Sequence, residues 1–228
     1  MALDMFHANE IAQSIRLLCQ SGVALTQDCA NSATVVVGSN ELFEVGDGVE
    51  VLDEDSAPEA GVVAGKSGLD TVTLENPVTG PFEVSQGAWI RLATPRLVGL
   101  KFVAQGRPDL IPEPRAERFP CLIVQPGEVR QSGSEGTNKA FAQEYDFHLY
   151  YVRKSDPGEP QSAPGLAEAG ALFSLLMEDT YLGGTCWAAH VTKVQPDNQF
   201  AQDFKARHLP LDVVQLDVTA KRLEPWPK

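Results

Sequence analysis

The sequence lacks the long hydrophobic runs of a membrane protein. No stretch approaches the roughly 18 consecutive apolar residues of a spanning helix. The N-terminal segment MALDMFHANEIAQ has no basic region followed by an apolar one, which a signal peptide would have. We therefore expect a protein that is neither secreted nor embedded in a membrane. With 43% hydrophobic residues among 228, the chain can still bury a core.

Basic residues are scarce: 18 Lys and Arg stand against 31 Asp and Glu, a net charge of −13. Proteins that grip nucleic acid neutralise phosphates with a basic patch, so we expect no tight binding of DNA or RNA. The acids are concentrated, because residues 40–95 hold 11 acids and 2 bases whereas residues 96–228 hold 17 acids and 15 bases. This step predicts a module of 40–95 inserted into a domain of 1–39 and 96–228.

The usual motifs of catalysis and cofactor binding are missing. There is no Walker loop, no GxGxxG that opens a helix and no CxxC pair. Two nucleophile and base pairs are conceivable, Cys186 with His190 and Cys121 with His148. Four residues along a strand separate Cys186 from His190 by about 13 Å, which is too far for proton transfer. We expect buried thiols, no catalytic residue and no cofactor, with a cysteine-dependent hydrolase as the competing hypothesis.

An acidic run follows the first strand of the acidic module. Asp53, Glu54 and Asp55, with Asp47 and Glu50 before them, supply the oxygen ligands that Ca²⁺ or Mg²⁺ prefers. The spacing is not that of an EF-hand loop, which needs acids at alternating positions and a closing Glu. We therefore predict an acidic, solvated barrel surface at Asp47, Asp53, Glu54 and Asp55, and no metal.

Short strands separated by strong turn signals fill residues 40–95. The runs GVEVLD, AGVVAG, DTVTLE and AWIRLA alternate with Gly, Pro, Asp and Asn, which is similar to small SH3-like or KOW-like β-barrels. A peptide-binding barrel would need an exposed aromatic groove. The module has only Phe43, Phe82 and Trp89 for such a groove, which disfavours that alternative.

Outside the module, the patterns predict an α+β domain in which helices cover an antiparallel sheet. Helical spacing marks Asp4 to Cys19 and the segment 165–179, and strict alternation marks a strand over 140–154. Further strands are predicted at 119–125 and in the runs CWAAHVTKVQ and DVVQLDVTAKRL. The run ATVVV fits a buried strand or a connector, and PRLVGLKFVAQG is ambiguous between strand and helix.

The segment 126–140 between two of these strands is rich in Gly and Ser and too long for a tight turn. We expect it to form a mobile hairpin arm. Glu128, Arg130 and Lys139 are its candidate contacts with a neighbouring subunit or with a tube of other subunits.

The order of elements resembles that of the tail terminator proteins of tailed bacteriophages. The resemblance rests on an N-terminal helix, FPCLIVQP, the long arm, a strand ending FHLYYVRK, the helix LAEAGALFSLLMED, LGGTCWAAHV and the closing strand LDVVQLDVTAKRL. It covers residues 1–39 and about 96–223. The insert at 40–95 departs from the family, and small barrels also occur in other neck proteins, including stoppers.

The resemblance implies a structural virion protein, assembled in the host cytoplasm, and not an enzyme. Such proteins form a ring, usually a homo-hexamer, that ends the tail tube and joins it to the head-tail connector. The implied partners are the tail tube protein and connector or stopper proteins, with the tail sheath as a further candidate. DNA would pass through the channel without specific binding. The alternative is another neck component, a stopper or head-completion protein.

Overall fold

The computed structural model describes residues 5–97, 99–106, 119–136, 140–155, 163–196 and 211–225, and most of them lie in strands. Strands account for 52% and helices for 17%. The elements are α1 (Met5–Cys19), β1 (Gly22–Ala24), β2 (Ser32–Val36), β3 (Gly48–Leu52), β4 (Glu59–Ser67), β5 (Thr71–Val78), β6 (Trp89–Leu92), β7 (Phe102–Gln105), β8 (Cys121–Gly136), β9 (Ala140–Lys154), α2 (Ala163–Glu178), β10 (Ala188–Pro196) and β11 (Leu211–Pro225). Neither of the helices described is long and apolar enough to cross a membrane.

Six strands form a small barrel, in the order β1-β6-β3-β4-β5-β2. Its two outer strands meet beyond their ends, where Leu25 bridges Val37 and the Thr26 amide donates to the carbonyl of Val36 at 2.9 Å. Closure pairs the outer edges and removes an exposed template for further strands. Because β1 and β2 precede residue 40, the predicted module boundary falls inside this barrel.

The alternation of apolar residues along the barrel strands explains its core. Inward-pointing side chains are fully or almost fully buried, as expected when every second residue faces the interior. They are Val49, Val51, Val63, Val72, Leu74 and Ile90.

The other five strands form a second sheet, in the order β10-β11-β9-β8-β7. Only the β7–β8 pair is parallel among the pairs described. β9 and β11 pair along their whole length, from Ala140 opposite Pro225 to Lys154 opposite Leu211. Both helices contact this sheet, α1 at β7 and β8 and α2 at β9, β10 and β11.

The helices and one face of the five-stranded sheet share a single core with the barrel. Tyr145, Phe147 and Leu149 of β9 are completely buried in it, together with Ile11 and Ile15 of α1. A smaller apolar cluster, made of Phe119, Cys121, Ile123, Val152, Leu211 and Val213, lies apart from that core.

The prediction of an α+β fold, with helices covering an antiparallel sheet as in a tail terminator, is wrong. The described residues are mostly β, and they form two curled sheets and two helices. The prediction failed in part because it assigned residues 1–39 to the helix-covered domain, whereas GVA and SATVV within that range add strands to the barrel. It also missed the parallel pairing of β7 at the sheet edge.

The segment expected to be a mobile arm is largely part of the sheet. β8 continues to Gly136 and pairs with β9, with Arg130 opposite Glu144 and Gly136 opposite Phe141. Two register shifts interrupt the pairing, the first between Pro126 and Val129. Residues 137–139, including Lys139, lie outside the described residues.

Candidate functional surface: a charged ladder on the five-stranded sheet

Alternation along β9 sends two chemically different sets of side chains to the two faces of the sheet. Tyr145 and Phe147 point into the core that contains the helices. Glu144, Asp146 and His148, which alternate with them, point to the opposite face and are only partly buried. The sequence pattern therefore places a polar stripe on the face away from the core.

Strand register extends this stripe across three neighbouring strands. Glu144 lies between Arg130 of β8 and Lys221 of β11. Asp146 is opposite Thr219, and His148 is opposite Asp217. We call these residues, with Gln215, the charged ladder. Its members are Arg130, Glu144, Asp146, His148, Gln215, Asp217, Thr219 and Lys221.

The two permanent cations of the ladder are engaged by its carboxylates. Arg130 lies 2.8 Å from an Asp146 oxygen and 3.9 Å from Glu144. Lys221 lies 3.4 Å from Glu144 on the other side. Thr219 donates its hydroxyl hydrogen to Asp146 at 2.8 Å. Asp146 therefore has partners on both neighbouring strands, Arg130 on β8 and Thr219 on β11.

A second group in the ladder centres on Asp217. Its Oδ1 lies 2.7 Å from Nδ1 of His148 and accepts a hydrogen bond from the Gln215 side chain at 2.6 Å. A carboxylate bonded to an imidazole orients the ring, as it does in hydrolases. Cys121, the thiol that sequence reasoning paired with His148, lies opposite Val152. That position is four residues along β9 from His148, about 13 Å at ~3.3 Å per residue.

The buried cysteines are poorly suited to nucleophilic catalysis. Burial raises the pKa of the Cys121 thiol to about 12. Burial is also the largest cause of the raised pKa of the Cys186 thiol, which is about 12 as well. The Cys186 thiol points to the carbonyl of Thr180 at 3.6 Å. Because the thiolate is the reactive form, these environments suppress reactivity at neutral pH.

The acids of the barrel surface act in separate turns. Asp47 accepts a hydrogen bond from the Glu44 amide at 2.8 Å. Asp53 accepts from the amides of Asp55 at 3.1 Å and Ser56 at 2.6 Å, and Glu54 is exposed beside it. Although burial opposes it, hydrogen bonding from Ser56 and Asp55 lowers the pKa of Asp53. Across the described ranges, no three His, Cys, Asp or Glu side chains are grouped to hold a metal.

The aromatic residues of the barrel leave little for a peptide groove. Phe43 and Phe82 are completely buried. Trp89 is partly exposed, and the guanidinium of Arg91 lies 5.5 Å from its ring centre. That arginine also pairs with Glu50 at 2.6 Å, so the face of Trp89 is already covered.

A buried carboxylate at the junction of barrel and sheet escaped sequence reasoning. Asp179, directly after α2, accepts hydrogen bonds from the amides of Tyr181 at 3.0 Å and Gly183 at 2.9 Å. Burial raises its pKa, while hydrogen bonds from Gly183, Tyr181 and Ser39 of the barrel side partly offset that effect. The only sequence signal was an Asp placed between a helix and the LGG turn.

Arg96 adds further hydrogen bonds to the same junction. Its side chain bonds Glu178 of α2 at 2.6 Å and the carbonyl of Leu42 at 3.2 Å. Its backbone amide donates to the Ser21 hydroxyl at 2.8 Å. One residue therefore links the end of α2 to both flanks of the barrel.

No protein-family model matches this chain, and a search of curated proteins gives no significant match. Neither comparison assigns the chain to a family. Of the residues predicted for a contact arm, Arg130 belongs to the charged ladder, Glu128 is exposed on β8, and Lys139 lies outside the described residues. The four predicted barrel acids lie elsewhere, on the turns of the barrel.

Proposed function

We propose that this protein is a structural subunit of the neck of a tailed bacteriophage. In this role it forms a ring that ends the tail tube and joins it to the head-tail connector. The proposal starts from the resemblance of the sequence to tail terminators over residues 1–39 and about 96–223, although the described chain is mostly β and lacks their helix-covered sheet. The structural observation that carries it is the charged ladder, in which each carboxylate contacts a basic side chain.

A channel wall through which DNA passes must not hold phosphates. Phosphate binding needs Lys or Arg groups that can exchange counterions for the backbone. In the ladder, Arg130 is bonded to Asp146 and Lys221 to Glu144, so both cations already have anionic partners. The ladder also contains Asp217, which contacts His148 and Gln215, so it has three carboxylates for these two cations, and this excess of acid disfavours DNA.

The partners follow from the same assignment. The proposed ring is a homo-hexamer that contacts the tail tube protein below and connector or stopper proteins above, with the tail sheath as a further candidate. Ring subunits meet through two different surfaces, one on each side. The five-stranded sheet provides two unlike sides, because β10 forms one edge next to α2 and β7 the other next to α1.

A second candidate is another neck component, of the stopper or head-completion type. The closed acidic barrel favours it, since small barrels also occur in those proteins. A cysteine-dependent hydrolase is less well supported, because burial raises the pKa of both candidate thiols, Cys121 and Cys186, to about 12.

Assembly tests the proposal directly. The purified chain is mixed with tubes of the tail tube protein and imaged in negative stain, with light scattering of the chain alone. We expect rings that cap the tubes. A chain that stays monomeric and leaves the tubes bare would refute the proposal.

The ladder has its own test in DNA binding. The double substitution E144Q/D146N removes the anionic partners of Arg130. We expect DNA affinity to rise, with a steeper dependence on salt. The matched control is E50Q, which frees Arg91 on the barrel. An equal response of the two variants would mean that the ladder has no special part in excluding DNA.

A further inference from the structure

Helix α2 carries an exposed apolar face that no described part of the chain covers. Leu166 is 41% exposed, and Phe173 and Met177 are 40% exposed. Gly170, between them, is exposed as well. We call Leu166, Gly170, Phe173 and Met177 the α2 seam. Their steps of four, three and four residues are those of the a and d positions of a coiled coil.

The seam is distinct from the face by which α2 packs on its own sheet. Ala169, Leu172, Leu175 and Leu176 are buried in the core. α2 is therefore apolar on two sides, although a surface helix normally needs one. The seam itself carries no charge. Glu178, near its end, is bonded to Arg96 at 2.6 Å, so its charge is balanced.

We propose that the α2 seam docks the α2 seam of a second copy, with the two helices antiparallel about a two-fold axis. In that arrangement Leu166 faces Met177 of the other copy, and Gly170 faces Phe173. Each apolar side chain thus meets a seam position, as in the a-to-d layers of antiparallel coiled coils.

The shape of the seam favours this self-pairing. Gly170 has no side chain, and a Cβ built on it meets no atom within 4 Å, so the space above the helix is open at this position. Phe173 supplies a large projecting ring three residues later. A two-fold axis between these residues places the ring of each copy over the glycine of the other. An isologous contact requires this kind of self-complementary patch.

The exposed area sets the expected strength. Leu166, Phe173 and Met177, each at about 40% exposure, leave an apolar patch. At roughly 200 Å² for each large side chain, the patch amounts to about 240 Å². A standard interface buries about 800 Å² on each partner. We therefore expect a weak, concentration-dependent pair.

The pairing goes beyond the proposed ring. An isologous contact joins two copies and stops, so it does not close a ring by itself. It connects two free subunits or two rings. The pair and the ring can therefore succeed or fail separately.

Disulfide trapping tests both the contact and its direction. Single variants G170C and F173C are oxidised alone and as a mixture; the four native cysteines are buried. We expect a linked dimer chiefly in the mixture, because Gly170 faces Phe173 of the other copy. Linkage within each single variant would indicate parallel helices and overturn the proposal, as would the absence of linkage in all samples.

Light scattering over a concentration series measures the strength. Glutamate at the centre of the seam, in F173E, should weaken the dimer at least thirtyfold, as loss of a central anchor does. The matched control is V194E on β10, whose side chain is also 40% exposed. A wild-type chain that stays monomeric throughout, or equal dimers in the two variants, would overturn the proposal. If the tail tubes stay uncapped while disulfide trapping succeeds, the proposed ring is refuted and the proposed dimer stands.

Discussion

The backbones of Gly38 and Gly184 lie directly against each other where the barrel meets the turn after α2. A Cβ built on Gly184 would overlap the carbonyl oxygen of Gly38, and one built on Gly38 would overlap that of Gly183. Gly184 also has a φ of +83°, a left-handed conformation that favours glycine. The LGG sequence is therefore required for docking the barrel on the sheet.

The substitution G184A should destabilise the protein by about 3 kcal/mol or more, since it adds a left-handed alanine to a backbone overlap. The control G170A is on the exposed face of α2, where a Cβ meets nothing within 4 Å. It should stabilise the helix by about 0.5–1 kcal/mol. Urea unfolding of both variants, at concentrations too low for self-association, measures the difference. Equal stabilities would contradict the described junction.

Asp179 should be sensitive to substitution because it organises the same junction. In D179N, an amide replaces one oxygen that accepts a backbone hydrogen bond from Tyr181 or Gly183. Leaving one buried amide without an acceptor costs about 1–3 kcal/mol. Thermal unfolding near pH 5 measures the loss, with S174A on the exposed side of α2 as the control.

The pH dependence of that loss has a defined sign. Burial raises the folded-state pKa of Asp179 above its ordinary value of 3.8. The folded state then binds more protons than the unfolded state between those two pKa values, so this residue makes stability fall as pH rises through that window. The advantage of wild type over D179N should shrink from pH 4 to pH 7. A constant difference would show that Asp179 titrates alike in both states.

Glu59 should show the opposite dependence. Its carboxylate accepts hydrogen bonds from the amides of Thr79 at 2.7 Å and Gly80 at 2.6 Å. These hydrogen bonds, those from Thr79 above all, lower the pKa of Glu59 below 4.5. Glu59 therefore stabilises the folded state above pH 4.5, and this stabilisation is lost as the pH falls through the lowered pKa. Unfolding of E59Q should show no such loss, while E75Q, exposed on β5, should follow the wild type.

The thiols of Cys121 and Cys186 should be inert in the folded protein. Burial raises the pKa of each to about 12, and the thiolate is the form that alkylates. Iodoacetamide at pH 8 should label them only after unfolding, which mass spectrometry of tryptic peptides detects. Rapid labelling of Cys186 in the native chain would revive the hydrolase hypothesis.

Local sequence patterns predicted the elements whose burial is regular. β9 spans the predicted 140–154, since aromatic residues alternate with Glu144, Asp146 and His148. α2 was expected at 165–179 and runs from Ala163 to Glu178. β1 has three residues and contributes through its pairing with β6, whose residues are 65 to 69 positions away along the chain. Such a short strand has no periodicity of its own, so the barrel could not be completed from sequence.

The candidate surface was only partly predictable for a similar reason. The sequence predicts Arg130 as a contact residue of the arm, but its partner Asp146 is 16 residues away, and the pair depends on the register of β8 and β9. Thr219 joins them from 73 positions away. The role of Asp179 depends on how deeply the residue is buried, and residue propensities do not predict burial. Contacts between distant segments, and not local preference, decide both sites.

The fastening of the barrel has a mechanical consequence. The chain leaves for the barrel at Ser21 and returns at Arg96, and these two residues are bonded to each other. A tether at one place would let the barrel swing. Gly38 against Gly184, and Arg96 to the carbonyl of Leu42, add separate attachments and prevent rotation about the first. A partner that contacts the far end of the barrel is therefore held at a fixed distance and angle from the sheet.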